Sequence, residues 1–204
     1  MIELYYRPGA ASFVAHATLE EAGAEYQLIL VEGRGSPEFL ALNPLGRVPT
    51  MTLDGMTMTE AAACVMYISD LYPDAHLAPA VGTPARAQWY RWLTYLTNTV
   101  QMSFINYFRP ERAAPEEATE AVKRKAVDVL VGLRNQIEAH LADSGPYVLG
   151  EQFSSADLFL AMLTRWGRNL DPKWWDQPHL GEHWRRIRAR PALERVYEQE
   201  GLEE

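Results

Sequence analysis

The stretch Asn43-Pro44-Leu45-Gly46-Arg47-Val48-Pro49, with Glu60 eleven residues beyond it, decides how the rest of the chain is read. A proline directly after an apolar β-former, at the start of a short strand, cannot donate a ladder hydrogen bond. A cis Val48–Pro49 bond would turn the chain sharply and leave the N–H and C=O of Val48 pointing outward, able to pair with a bound peptide backbone. Glu60 and Ala61 stand just before an apolar run with helical spacing. A helix start offers unpaired N–H groups to a carboxylate, and Glu60 offers an acceptor to an ammonium. These parts suit an extended ligand with a peptide-like middle and a zwitterionic amino-acid end.

Working outward, Ile2-Glu3-Leu4-Tyr5-Tyr6 alternates and is rich in β-formers, so it reads as a strand ending at Pro8-Gly9. Ser12 to Ala22 reads as a helix closed by Gly23, and Tyr26 to Val31 as a second strand. Strand, helix, strand with short connections implies a parallel pair with a right-handed crossover. Pro37 to Leu42 makes one or two helical turns. Thr50–Leu53 and Met56–Met58 flank Asp54-Gly55, the favoured two-residue hairpin turn, and Glu60 to Leu71 is a helix stopped by Pro73. The order βαβ then ββα is a thioredoxin-like α/β pattern.

From Pro73 to Pro84 the composition shifts to Pro, Ala and Gly, the mark of a linker. The expected division is residues 1–78, a linker at 79–84, and an all-helical domain over 85–204. Arg86 to Phe108 carries Trp89, Trp92, Leu93, Leu96, Val100 and Phe104 at helical spacing, and Glu116 to Leu141 has a similar apolar face. Ser154 and Asp157 form a capping box for a further helix, and two shorter helices, split at Pro191, close the chain.

The bulk properties are those of an ordinary globular protein: 204 residues, 48% hydrophobic and 23% charged. A net charge of −8 argues against non-specific nucleic-acid binding. No apolar run is long enough to span a membrane, and the acidic start Met1-Ile2-Glu3-Leu4 does not read as a signal peptide, so a cytoplasmic protein is expected. The single cysteine, Cys64, excludes an internal disulfide or a cysteine metal site and reads as a small core residue. The five histidines show no metal-ligand spacing, so no metal is expected.

Several segments together carry a resemblance: Leu4-Tyr5-Tyr6-Arg7-Pro8-Gly9, the Asn43–Pro49 run, Thr59-Glu60-Ala61, Phe153–Asp157, Arg165-Trp166, and the tail from Arg190-Pro191 to Gly201-Leu202. The chain resembles the cytosolic glutathione transferases nearly end to end, and within them the bacterial beta class. Glutathione has the ligand shape described above. The resemblance implies a thioredoxin-like glutathione domain, an all-helical second domain, an electrophile pocket and a homodimer. It pairs Val48 with the cysteinyl backbone of glutathione, with Pro49 cis behind it, and gives the γ-glutamyl group to Glu60 and the Ala61 amide. It sets Arg34 near the glycyl carboxylate and Gln101 near glutathione or substrate, and draws the apolar pocket walls from Phe104, Tyr107, Phe108 and Trp166.

The departures fall on the chemical centre. Where beta-class members carry a cysteine, this chain has Ala11; their second-domain His and Lys align with Gln101 and Met102, and an Asn lent by the other subunit aligns with Thr94. Without a thiol at position 11, a mixed disulfide with glutathione is not expected. Glutathione's own thiol, with a pKa of about 8.5–9, is only a few per cent ionised at neutral pH, and lowering that pKa by two units requires about 2.7 kcal/mol. One hydroxyl donating to the anion supplies about 1.5–3 kcal/mol and a helix N-terminus up to about 1. Ser12, at a helix start, is the first candidate donor, and Tyr6 the second. The expected activity is conjugation of the thiolate to an apolar electrophile, a detoxification chemistry. A glutathione-dependent isomerase, lyase or peroxidase, and a non-catalytic glutathione- or ligand-binding protein, are the alternatives.

Overall fold

The structure is a computed structural model that describes residues 1–33 and 35–203. Strand β1 (Ile2–Tyr6), helix α1 (Ser12–Ala22) and strand β2 (Tyr26–Leu30) form the expected βαβ unit. They are followed by α2 (Pro37–Leu42), β3 (Thr50–Leu53), β4 (Met56–Thr59) and α3 (Ala61–Leu71). The sheet order is β2-β1-β3-β4, with β1 parallel to β2 and antiparallel to β3. Asp54 and Gly55 both take positive φ, 49° and 80°, the geometry a tight hairpin turn between twisted strands demands. Alternation along β1 sends Ile2 and Leu4 into a core with Ala15, Leu19, Met51, Cys64 and Ile68. On the opposite face Tyr5 stacks on Phe39 of α2 at 5.4 Å.

Six further α-helices follow among the described residues: α4 (Pro84–Tyr95), α5 (Met102–Phe108), α6 (Thr119–Ser144), α7 (Ser155–Trp166), α8 (Pro178–Arg188) and α9 (Pro191–Glu200). The single helix expected over Arg86–Phe108 is interrupted by a π-helical stretch, Leu96–Gln101. Apolar spacing alone does not register one residue of extra winding, which is why periodicity missed it. Helix α7 is buried along its whole length. Its capping residue Asp157 does more than the sequence pattern required: besides the Ser154 amide at 2.8 Å, its carboxylate accepts from the Val148 amide at 2.7 Å and meets His183 Nε2 at 3.0 Å.

The chain divides into two compact units, one of residues 1–80 with the C-terminal stretch from Ile187, the other Val81–Arg186. The tail thus joins the first unit, whereas the sequence reading assigned all of 85–204 to the second domain. Helix α9 buries Leu193, Val196, Tyr197 and Glu200 on one stripe, and Tyr197 meets Phe13 of α1 edge-on at 5.8 Å. Arg190 forks onto Glu21 with bonds of 2.5 and 2.8 Å. An amphipathic pattern reveals that a helix has a buried face but not which neighbour covers it. Leu193→Ala is expected to destabilise the first unit by about 2–5 kcal/mol, against under about 0.5 kcal/mol for the exposed Leu45→Ala, as read by denaturant unfolding.

Candidate functional site

Register brings the predicted binding residues to one end of the sheet. Tyr5 pairs with Thr50 across β1 and β3, and Thr50 with Thr59 across β3 and β4. Tyr6 and Arg7 therefore run beside Pro49 and Val48, and Glu60 leaves the sheet beside Pro49. Strand β2 ends at the same level, with the Val31 amide bonded to Tyr6 O at 2.9 Å. Helix α1 starts there too.

At this end the Val48–Pro49 bond is cis, Pro49 is buried, and Val48 is half-buried. Neither the N–H nor the C=O of Val48 has a hydrogen-bond partner among the described residues, while the Arg47 carbonyl beside it accepts two bonds. Asn43 is buried and donates to Arg47 O at 2.9 Å and to Thr50 Oγ1 at 3.0 Å; Thr50 Oγ1 donates to Arg47 O at 3.0 Å, and the Leu45 amide donates to Asn43 Oδ1 at 3.2 Å. A tied loop thus presents the N–H and the C=O of Val48 unpaired among the described residues.

Glu60 caps α3 at φ 69° and ψ 115°, outside the regions open to an ordinary side chain, and its carboxylate is exposed. Such a conformation costs about 1–3 kcal/mol. Its carbonyl starts the helix by accepting from Cys64 N at 3.0 Å, and Ala61 is buried behind it. Arg34 lies outside the described residues.

Ser12 is fully buried in the first turn of α1. Its hydroxyl accepts from the Arg7 amide and donates to the Arg7 carbonyl, both at 3.2 Å. The proton expected to face a thiolate is therefore directed at the main chain. Tyr6 is half-buried with its ring 6.4 Å from that of His16, and its hydroxyl has no partner among the described residues. Ala11 occupies the N-cap of α1 and brings no functional group.

Cys64 lies in the core, where burial pushes its thiol up to about 12, with the Glu60 charge adding to the effect. It does not replace the missing cysteine.

In the second unit, Gln101 ends the π-helical stretch, and its Oε1 is buried without a partner among the described residues. Phe104, Tyr107, Phe108 and Trp166 do come together: Phe104 stacks on Phe108 at 6.0 Å, Trp166 meets both edge-on at 5.9 and 5.8 Å, and Tyr107 meets Phe108 at 5.1 Å. Phe104 and Trp166 are buried, whereas Phe108 is 37% exposed and Tyr107 half-buried, so only the latter two offer surface. Trp174, absent from the sequence expectation, packs on Phe104 at 4.9 Å. It fits only because Gly167 has no side chain; a Cβ there would lie 2.3 Å from the indole.

Sequence reasoning also passed over Arg7, Glu200 and His16. Glu200, fully buried with His16, accepts from the Gly9 amide at 2.8 Å and meets His16 Nδ1 at 2.9 Å. The one available signal was a carboxylate on the otherwise apolar stripe of α9.

The glutathione S-transferase N-terminal domain family matches residues 2–70, and the C-terminal domain family matches residues 95–191. The bacterial beta-class glutathione S-transferase structure from Sphingomonas chungbukensis is 31% identical, covers 98% of this chain and 100% of its own, and superposes with a TM-score of 0.87. The chain belongs to the glutathione S-transferase family. A transferase homologue from Sulfitobacter with bound glutathione is 29% identical over 99% of both chains, with a TM-score of 0.89. Glutathione S-transferase GstA of Escherichia coli O157:H7 is 29% identical over 98% of this chain and 100% of its own. The protein is thus a transferase of this family that lacks the beta-class cysteine.

The Cys64 environment makes a direct prediction. With a pKa near 12, about one thiol in ten thousand is ionised at pH 8, so native protein should not react with a thiolate-selective disulfide reagent within minutes. Denatured protein should release one equivalent at once.

Proposed function

We propose that this transferase binds glutathione at the end of its first sheet and conjugates the thiolate to an apolar electrophile, in the cytoplasm, as a homodimer serving detoxification. The open peptide unit of Val48 carries the reading, since it matches the cysteinyl backbone of an extended tripeptide, with Pro49 behind it. Glu60 and the Ala61 amide take the γ-glutamyl ammonium and carboxylate, and Arg34 the glycyl carboxylate. The sulfur then lies at the first turn of α1. Catalysis there is orientation plus thiolate stabilisation, and it needs no covalent enzyme intermediate.

The hydrogen bonds of Ser12 shift its role. Its hydroxyl holds the turn, while the amides at the start of α1 and the open Tyr6 hydroxyl face the thiolate. The electrophile rests on the aromatic surface of Phe108 and Tyr107, backed by Phe104 and Trp166, with Gln101 supplying a polar contact. The neutral Gln101 and Met102 and the absent cysteine favour one second reading, a glutathione-binding protein without turnover. Thiolate absorbance of the bound complex separates the two: a transferase shows it at pH 7, a carrier does not.

Glu60→Gln is expected to weaken glutathione binding roughly tenfold, about 1.4 kcal/mol, by titration calorimetry; unchanged affinity removes Glu60 from the site. Tyr6→Phe should raise the pH midpoint of bound-thiol ionisation. Ser12→Ala should leave that midpoint in place and cost about 1–3 kcal/mol of stability, because the Arg7 amide loses its acceptor. The reverse pattern would return the donor role to Ser12.

A further inference from the structure

We infer that Arg7 is a positioning residue for glutathione: its guanidinium sets the place of the loop that presents Val48. The inference rests on the glutathione reading above and extends it to a residue outside the proposed contacts.

The guanidinium reaches the carbonyls of Val31, Gly33 and Gly46, on two separate segments. Nε donates to Val31 O at 3.1 Å, Nη2 to Gly33 O at 2.9 Å, and both Nη1 and Nη2 to Gly46 O at 3.2 Å. Val31 and Gly33 follow β2, and Gly46 stands two residues before Val48. Gly33 and Gly46 both have positive φ, 51° and 61°, conformations open to glycine at little cost. Only a planar fork with donors on both edges can serve acceptors spread this way; an ammonium is a point charge with a shorter span.

Two further features make this contact transmit position. The Arg7 backbone is itself clamped, its N–H and C=O both bonded to Ser12 Oγ, and its carbonyl also accepts from the Ala10 amide at 3.1 Å. The side chain therefore departs from a fixed point. At its other end Gly46 belongs to the Asn43–Thr50 loop, which is internally tied through Asn43, Arg47 and Thr50. The Gly46 amide adds a bond to Asn43 O at 2.8 Å. A loop tied so closely moves as one piece, so a shift at Gly46 becomes a shift at Val48. Arg7 thus holds the open Val48 peptide in register with Glu60 and the start of α1.

The test compares wild type, Arg7→Lys and Arg7→Met, using glutathione and γ-glutamylcysteine, which lacks the glycyl carboxylate. Loss of positioning weakens ground state and transition state alike, so KM rises while kcat holds. Arg7→Lys should raise the glutathione KM at least fivefold and change kcat less than threefold. The same ratio should appear with γ-glutamylcysteine, and amide exchange over residues 43–48 should speed up. A penalty that vanishes with γ-glutamylcysteine would overturn the inference, because Arg7 would then contact the glycyl carboxylate directly. Unchanged glutathione KM in both variants would overturn it as well. If Arg7→Met does not fold, Arg7→Lys alone decides. Wild type that fails to bind glutathione by calorimetry would instead sink the underlying site reading.

Discussion

The first unit depends on β1 being hydrogen-bonded along both edges. Its parallel pairing with β2 and antiparallel pairing with β3 set four strand ends and the starts of α1 and α3 at a common level. A one-residue slip of β3 would turn Met51 out of the core and carry Val48 and Pro49 to the wrong height, so apolar burial and site geometry are enforced by the same register. Where the strands stop, backbone groups lose their ladder partners, and the N–H and C=O of Val48 are unpaired among the described residues.

Around Val48 several groups are tied down. Asn43 and Thr50 tie the preceding loop, Arg7 braces it, Ser12 clamps Arg7, and Glu200 holds the Gly9 amide from the far end of the chain. A ligand meeting such a surface gives up little to ordering the protein, which favours affinity. Glu60, by contrast, is an exposed side chain held in a costly backbone conformation at the same end of the sheet.

The chemistry differs from that of a cysteine-bearing relative in a definite way. Ala11 removes the enzyme's own thiol, and Cys64 is buried among apolar residues that hold it protonated. Neither residue brings an ionisable thiol to this end of the sheet. In the second unit a single glycine, Gly167, lets Trp174 back the Phe104–Trp166 cluster, so that Phe108 and Tyr107 face outward on a stiff support.

Much of this was legible in the residues. Alternation in β1, the Asp54-Gly55 turn, the Pro37 and Ser154 helix starts and the Val48-Pro49 run are local signals, and each specified its element because backbone sterics act over a few residues. The π-helical interruption was hidden, since one extra residue of winding leaves apolar spacing nearly intact. Long-range partners were hidden too. That the Ser12 hydroxyl bonds the Arg7 backbone, and that α1 packs on α9, are contacts no local pattern announces. By itself the sequence determined most of the elements and the family. The tertiary structure alone decided which groups were left unpaired, because whether a hydroxyl or an amide is available depends on neighbours brought in from distant parts of the chain.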